Sequence, residues 1–168
     1  AWGIEPTTMA DIKSYKSKKH SVGSGQVLPR DYSFEEGRLI TGEMTDLLCL
    51  ELVEKGLVTD SITLHVGYAK QHELKSAHGT ITMPITTSSA KYMMCYAREL
   101  YEKIVKKDKY IRRVTLTYND VRKEDYRQYD LFADQRTLER ELQMQKAMLN
   151  IKERYGKNAI VKGMNLQE

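Results

Sequence analysis

The order of strand-like and helix-like segments, β-α-β-β-α-β, predicts an α+β fold, and two observations carry that prediction. Ile62, Leu64, Val66 and Tyr68 alternate with Thr63, His65 and Gly67, and Val114, Leu116 and Tyr118 alternate with Arg113, Thr115 and Thr117. A period of two is the mark of a strand buried on one face. Two longer stretches instead repeat apolar residues every third or fourth position, as helices packed by one face do.

The elements follow in order. Residues 1–19 are polar, contain Pro6, end Lys-rich and carry the single Trp2, which together read as a linker. Ser21 to Leu28 is Gly- and Ser-rich and runs into Pro29, consistent with a first strand closed by proline. Ser33 followed three residues later by Glu36 is a capping box. Ile40, Met44, Leu47, Leu48 and Leu52 then keep one helix face apolar until Gly56 stops it. After the Ile62–Tyr68 strand, a loop at Gln71–Lys75 leads to a β stretch from His78 to Met83, closed by Pro84. Thr87 or Ser88 is the expected N-cap of a second helix with Ala90, Met94, Ala97, Leu100, Tyr101 and Ile104 inward. The strand through Val114 to Tyr118 completes the set.

This order is the ferredoxin-like split arrangement, a four-stranded antiparallel sheet with two helices on one face. The alternating strands then leave the opposite face polar and open, carrying His65, Arg113, Thr115 and Thr117. After Val121 the character changes. Arg122 to Arg127 is charged, and residues 135–155 form a charged C-terminal helix with a broken stripe of Leu138, Leu142, Met148 and Leu149, ending at Gly156. Asn158 to Leu166 reads as a short strand or an ordered tail.

Composition narrows the function. The chain has 168 residues, 40% hydrophobic and 30% charged, the profile of a soluble globular protein. It has no bilayer-length apolar run and no signal-peptide pattern at Ala1 to Thr8, so a cytoplasmic location without membrane contact is expected. Net charge is +4, unevenly spread: Lys13 to Arg30 holds five basic residues and no acid, and Lys91 to Arg113 eight basic residues against three acids. Basic stretches flanking a domain are the footprint of a phosphate binder.

Catalytic chemistry is missing from the pattern. Glu35 and Glu36 open a helix, where carboxylates favour the dipole. His20, His65, His72 and His78 are paired with neither Cys nor Ser at a catalytic spacing. Cys49 and Cys95 lack metal-ligand spacing and read as reduced thiols. No Gly-rich loop opens a helix as a phosphate cradle would. The expectation is a binding module without a catalytic centre, metal or cofactor.

Several segments resemble, in order and spacing, the little-finger (polymerase-associated) domain of Y-family translesion DNA polymerases of the UmuC and DinB type. Lys19-His20-Ser21-Val22-Gly23-Ser24-Gly25-Gln26-Val27-Leu28 is similar to its first strand, and Ile111-Arg112-Arg113-Val114-Thr115-Leu116 to its last. Ser76 to Thr82 and the Thr-Ser-Ser helix start fit between them. Trp2 to Pro6 and Asp11 to Lys13 look like the linker leaving the thumb. The resemblance implies a domain that grips primer-template DNA by its backbone in damage tolerance and the SOS response, within an error-prone DNA-directed DNA polymerase. Nucleotide addition with Mg²⁺ would belong to a separate palm. Positions matching phosphate contacts are Lys19, Ser21, Ser24, Thr80, Arg112 and Arg113. Gly23 and Gly25 would leave contacts on the first strand to backbone N–H groups.

Gln128-Tyr129-Asp130-Leu131-Phe132 resembles the bacterial clamp-binding pentapeptide, departing from it at Tyr129. It implies a replicative sliding clamp as partner, with Gln128 hydrogen-bonding and Leu131 and Phe132 filling an apolar pocket. The expected division is therefore 1–19 linker from the thumb, 20–121 DNA-binding domain, and 122–168 clamp motif with C-terminal helix and tail. Because both ends fall in mid-motif, an excised piece of a longer protein is expected. The alternative is a stand-alone RNA-binding module, which stacks bases on aromatics where this face offers Thr and Arg, or a small-molecule-binding regulatory module.

Overall fold

The computed structural model describes residues 6–15, 20–70, 74–124, 135–156, 158–160 and 163. The elements are α1 (Met9–Ser14), β1 (Val22–Tyr32), α2 (Phe34–Lys55), β2 (Leu57–Tyr68), β3 (Ala77–Thr87), α3 (Ala90–Ile104), β4 (Ile111–Asn119), β5 (Arg122–Lys123) and α4 (Gln135–Tyr155). The main strands lie in the order β1-β4-β2-β3, every neighbouring pair antiparallel. β1 therefore runs parallel to β2 with β4 between them, and β3 parallel to β4 with β2 between. Each helix crosses over one intervening strand, which is the split arrangement the sequence predicts. The two-residue β5 adds to the start of β2.

The core lies between the sheet and α2 and α3. Ile62, Leu64 and Val66 from β2 and Val114, Leu116 and Tyr118 from β4 are fully buried there. Two tyrosines fasten the layers. Tyr118 crosses the core to donate its hydroxyl to Thr45 O at 2.9 Å, and Tyr101 donates to Phe34 O at 2.8 Å. Burial pushes both phenols above their ordinary range, so both are neutral donors.

The expected capping box opens α2. Ser33 Oγ accepts from Glu36 N at 3.4 Å, and the Glu36 carboxylate accepts from Ser33 N at 2.8 Å. The Arg30 guanidinium donates to the same carboxylate at 2.6 Å. That contact, with the Ser33 N–H, lowers the carboxyl to about 2. At the other end Gly56 takes φ 61°, a left-handed cap where a Cβ would add strain.

Close packing fixes one more glycine. A Cβ on Gly37 would stand 2.6 Å from both Ile111 Cδ1 and Tyr101 Oη. Alanine would gain about 1 kcal/mol of helix propensity, but overpacking of this kind costs about 1–3 kcal/mol, and the fully buried neighbours have little room to yield. Gly37→Ala is expected to lower the thermal midpoint by several degrees. An unchanged or raised midpoint would show that Tyr101 and Ile111 can move aside.

Three expectations are corrected. Neither Pro29 nor Pro84 closes its strand: β1 continues to Tyr32 and β3 to Thr87. Both prolines lie on edge strands, where a missing N–H need cost no ladder bond. The N-cap of α3 is Ser89, whose Oγ accepts from Tyr92 N at 3.2 Å, while Thr87 Oγ1 accepts from Ser89 N. On the helices, Leu47 is 52% exposed, and Met94 is half-buried while Met93 takes the fully buried place. The linker region contains a short helix, α1, capped by reciprocal Thr8 and Asp11 bonds.

The C-terminal helix forms where expected, but it is docked. Leu138, Leu142 and Leu149 are half-buried and Met148 buried, and Gln145 joins the stripe at 4% exposure. The Glu141 carboxylate accepts from Ser89 Oγ at 2.6 Å and from Lys91 N at 2.7 Å. It thus satisfies an N–H group at the start of α3, where negative charge is favoured. Among the described residues no helix is long and apolar enough to cross a membrane.

Candidate nucleic-acid interface

Register builds the open face as rows running across the sheet. Gly23, Thr117, Thr63 and Thr80 form one row, and Gly25, Thr115, His65 and His78 the next. Val27, Arg113 and Gly67 form a third toward one end, and Asn119, Ser61 and Thr82 a fourth toward the other. The residues between these rows, such as Leu64 and Leu116, belong to the core.

The hydroxyls and amide form a connected surface. Thr63 Oγ1 and Thr80 Oγ1 are 2.8 Å apart, and Asn119 Nδ2 donates to Thr63 Oγ1 at 2.8 Å and Ser61 Oγ at 3.2 Å. The His65 and His78 rings meet edge-on with centroids 6.2 Å apart. Glycine keeps the surface low beside β4. A Cβ on Gly23 would lie 2.9 Å from Thr117 Oγ1, one on Gly25 3.2 Å from Thr115 Oγ1, and one on Gly67 3.3 Å from Arg113 Cβ. The β4 side chains therefore stand clear of their neighbours on β1, where a backbone could approach them.

No carboxylate lies among the described residues of these rows, so Arg113 dominates their charge. Its side chain is exposed and makes no ion pair among the described residues. Arg112 is placed differently. Gly67 pairs with Arg113 and Tyr68 with Ile111, so Arg112 is the extra residue of a β-bulge. Its guanidinium reaches Asp31 at 3.6 Å, partly balancing its charge.

The sequence-derived phosphate contacts do not all converge. Thr80 and Arg113 share the open face. Ser21 is exposed immediately before β1. Ser24 pairs with Leu116 and so belongs to the helix-side rows, although it is exposed at the sheet edge. Lys19 and the pentapeptide residues Gln128, Leu131 and Phe132 lie outside the described residues. Sequence reasoning passed over Asn119, Ser61 and His78 as members of the face. Extending the alternation of β4 and β2 by one step would have found the first two.

The ends of the pentapeptide region are tied to the domain. Glu124 N donates to Gly56 O at 3.0 Å, and Arg122 bonds Asp60 Oδ2 at 3.1 Å and Thr86 Oγ1. On the far side α4 is held through Glu141. Among the described residues no three His, Cys, Asp or Glu side chains gather as metal ligands.

A split-βαβ sheet with both helices on one face, and no carboxylate among the described residues of the rows on the other, defines an α+β domain with a polar face left open. Residues 19–131 match the model of the impB/mucB/samB family C-terminal domain. The chain belongs to that family, and the domain it carries is the little-finger domain that its sequence resembles. No curated protein sequence matches the chain. Among solved structures, the insertion ternary complex of Dbh DNA polymerase is similar with a TM-score of 0.50 at 13% identity, over 68% of this chain and 33% of that one. The complex of the beta-clamp processivity factor and the little finger domain of PolIV gives a TM-score of 0.47 at 15% identity, over 68% of this chain and 100% of that one. At 13% identity the likeness to the Dbh polymerase speaks to the fold alone. The chain spans about a third of the length of the Dbh polymerase.

Proposed function

We propose that the open sheet face grips the sugar-phosphate backbone of primer-template DNA as part of an error-prone translesion polymerase, and that Gln128–Phe132 tethers the chain to a sliding clamp. The observation that carries the DNA reading is the face itself: rows of hydroxyl and amide donors next to Arg113, with no carboxylate in the rows and no ion pair to Arg113 among the described residues. Hydroxyls, amides and arginine are the groups that position a protein on phosphates without reading sequence. In this reading residues 20–121 are the DNA-binding unit and 1–19 lead in from a thumb. Nucleotide addition and its Mg²⁺ would reside in a palm elsewhere in the full protein.

The test is duplex affinity as a function of salt. Binding is expected to be weak, indifferent to sequence, and to fall linearly in log–log form as salt rises, with a slope near −0.9 per neutralised phosphate. Salt-independent binding, or a strong preference for one sequence, would refute the backbone grip. An RNA-binding module would instead prefer single strands stacked on aromatics, and the two rings in the described rows of this face are imidazoles, His65 half-buried and His78 exposed.

A further inference from the structure

Away from the open sheet face, α3 and α4 enclose a groove of about 500 Å³. Its floor is apolar: Ala90, Met94 and Cys95 from α3 and Met144 from α4. Met144 is 55% exposed there, a large apolar surface left uncovered by its own chain. Three exposed cations, Lys91, Arg98 and Arg140, stand around that floor. None of their side chains is engaged in a hydrogen bond or ion pair among the described residues. The groove's two carboxylates, Asp46 and Glu141, offset the three cations only in part. Glu141 is committed to Ser89 Oγ and Lys91 N, and Asp46 is 8% exposed with bonds of its own.

We propose that this groove docks an acidic segment of a partner protein, with apolar side chains on the methionine floor and carboxylates facing Lys91, Arg98 and Arg140. Methionine suits such a role because its flexible thioether repacks around differently shaped anchors. The volume falls in the usual range for a pocket that buries a ligand, about 300–1,000 Å³, and the rim cations, unengaged among the described residues, select the sign of the partner. DNA fits less well, since the floor offers its sugars and phosphates no hydrogen bonds. A second copy docked by the same patch would set the cations of one chain against those of the other. The proposal stands on α3 and α4 and does not depend on how the sheet face is used.

The experiment is selection of a randomised short-peptide display library against the chain, followed by titration of a synthesised selected peptide. Selected peptides are expected to combine two or more apolar residues with Asp or Glu. The exposed substitutions Arg98→Glu and Arg140→Glu together should weaken binding by about tenfold or more, and Met144→Glu should do so alone, with thermal unfolding confirming that each variant is folded. Peptides without acidic bias, or binding unaffected by the charge reversals, would overturn the proposal. So would self-association abolished by Met144→Glu, which would make the groove an interface between copies. Loss of duplex DNA affinity in the Arg98→Glu, Arg140→Glu variant as large as that of Arg113→Ala would also overturn it, by assigning the groove to DNA.

Discussion

Replacing Leu131 and Phe132 together by alanine is expected to remove measurable binding of the chain to a bacterial sliding clamp. Adjacent large apolar residues in a polar neighbourhood are costly to leave in water unless a pocket receives them. Truncating an interface anchor of this kind costs about 2 kcal/mol or more, roughly thirtyfold in affinity, and two anchors in one pocket exceed either alone. Gln128→Ala should cost less, because its hydrogen bonds replace bonds to water. The segment joins two points held on the domain, β5 through Glu124 and Arg122, and α4 through Glu141. A peptide strung between fixed points surrenders less freedom on binding than a loose tail. The isolated pentapeptide should therefore bind more weakly than the chain. Titration of the clamp with the chain, the double variant and the free peptide checks all three statements. Equal binding by the chain and its double variant would reduce the pentapeptide to a structural turn.

The sequence reveals β2 and β4 because each buries one face, so their alternation has a phase. That same phase sends Arg113, Thr115, Thr117 and His65 to the open side. β1 has no such guide. Its residues from Gly23 to Val27 include one apolar side chain, exposed at the strand edge, so nothing in the pattern tells which face Ser24 joins. Register with β4 decides it, and register is a long-range property. The bulge at Arg112 is hidden for a related reason. Two arginines stand between the inward Ile111 and Val114 where strict alternation allows one residue, a signal visible only once both flanking residues are known to be buried.

Helix ends show the same division between local and tertiary causes. Ser33 and Glu36 complete their box within four consecutive residues, so the sequence suffices. Thr86 to Ser89 offers four hydroxyls in a row, each able to cap a helix. Ser89 is the cap in the structure, and Glu141, far along the chain, bonds its hydroxyl. The half-burial of Met94 also concerns the layer added by α4, with which it lines a groove. A helical period shows which residues share a face, and it does not show how many neighbours that face will meet.

The second large effect is expected at Arg113. Arg113→Ala should weaken duplex binding by about 1 kcal/mol, roughly fivefold, and reduce the magnitude of the salt slope by about one contact. Arg113→Glu should exceed tenfold, since it replaces an attraction for phosphate with a repulsion. Neither change should unfold the domain, because the side chain is exposed and its cross-strand neighbours are Gly67 and the exposed Val27. Arg112→Ala should weaken binding less, because Asp31 at 3.6 Å already offsets part of its charge. Ser24→Ala should leave affinity almost unchanged, since the side chain belongs to the helix-side rows while Thr80 stands on the open face. Duplex titrations at two salt concentrations, paired with thermal unfolding of each variant, resolve the series. If Ser24→Ala weakens binding as much as Arg113→Ala, the DNA path crosses the β1 edge rather than the sheet face. If Arg113→Glu binds like the parent chain, the open face is not where the phosphates lie.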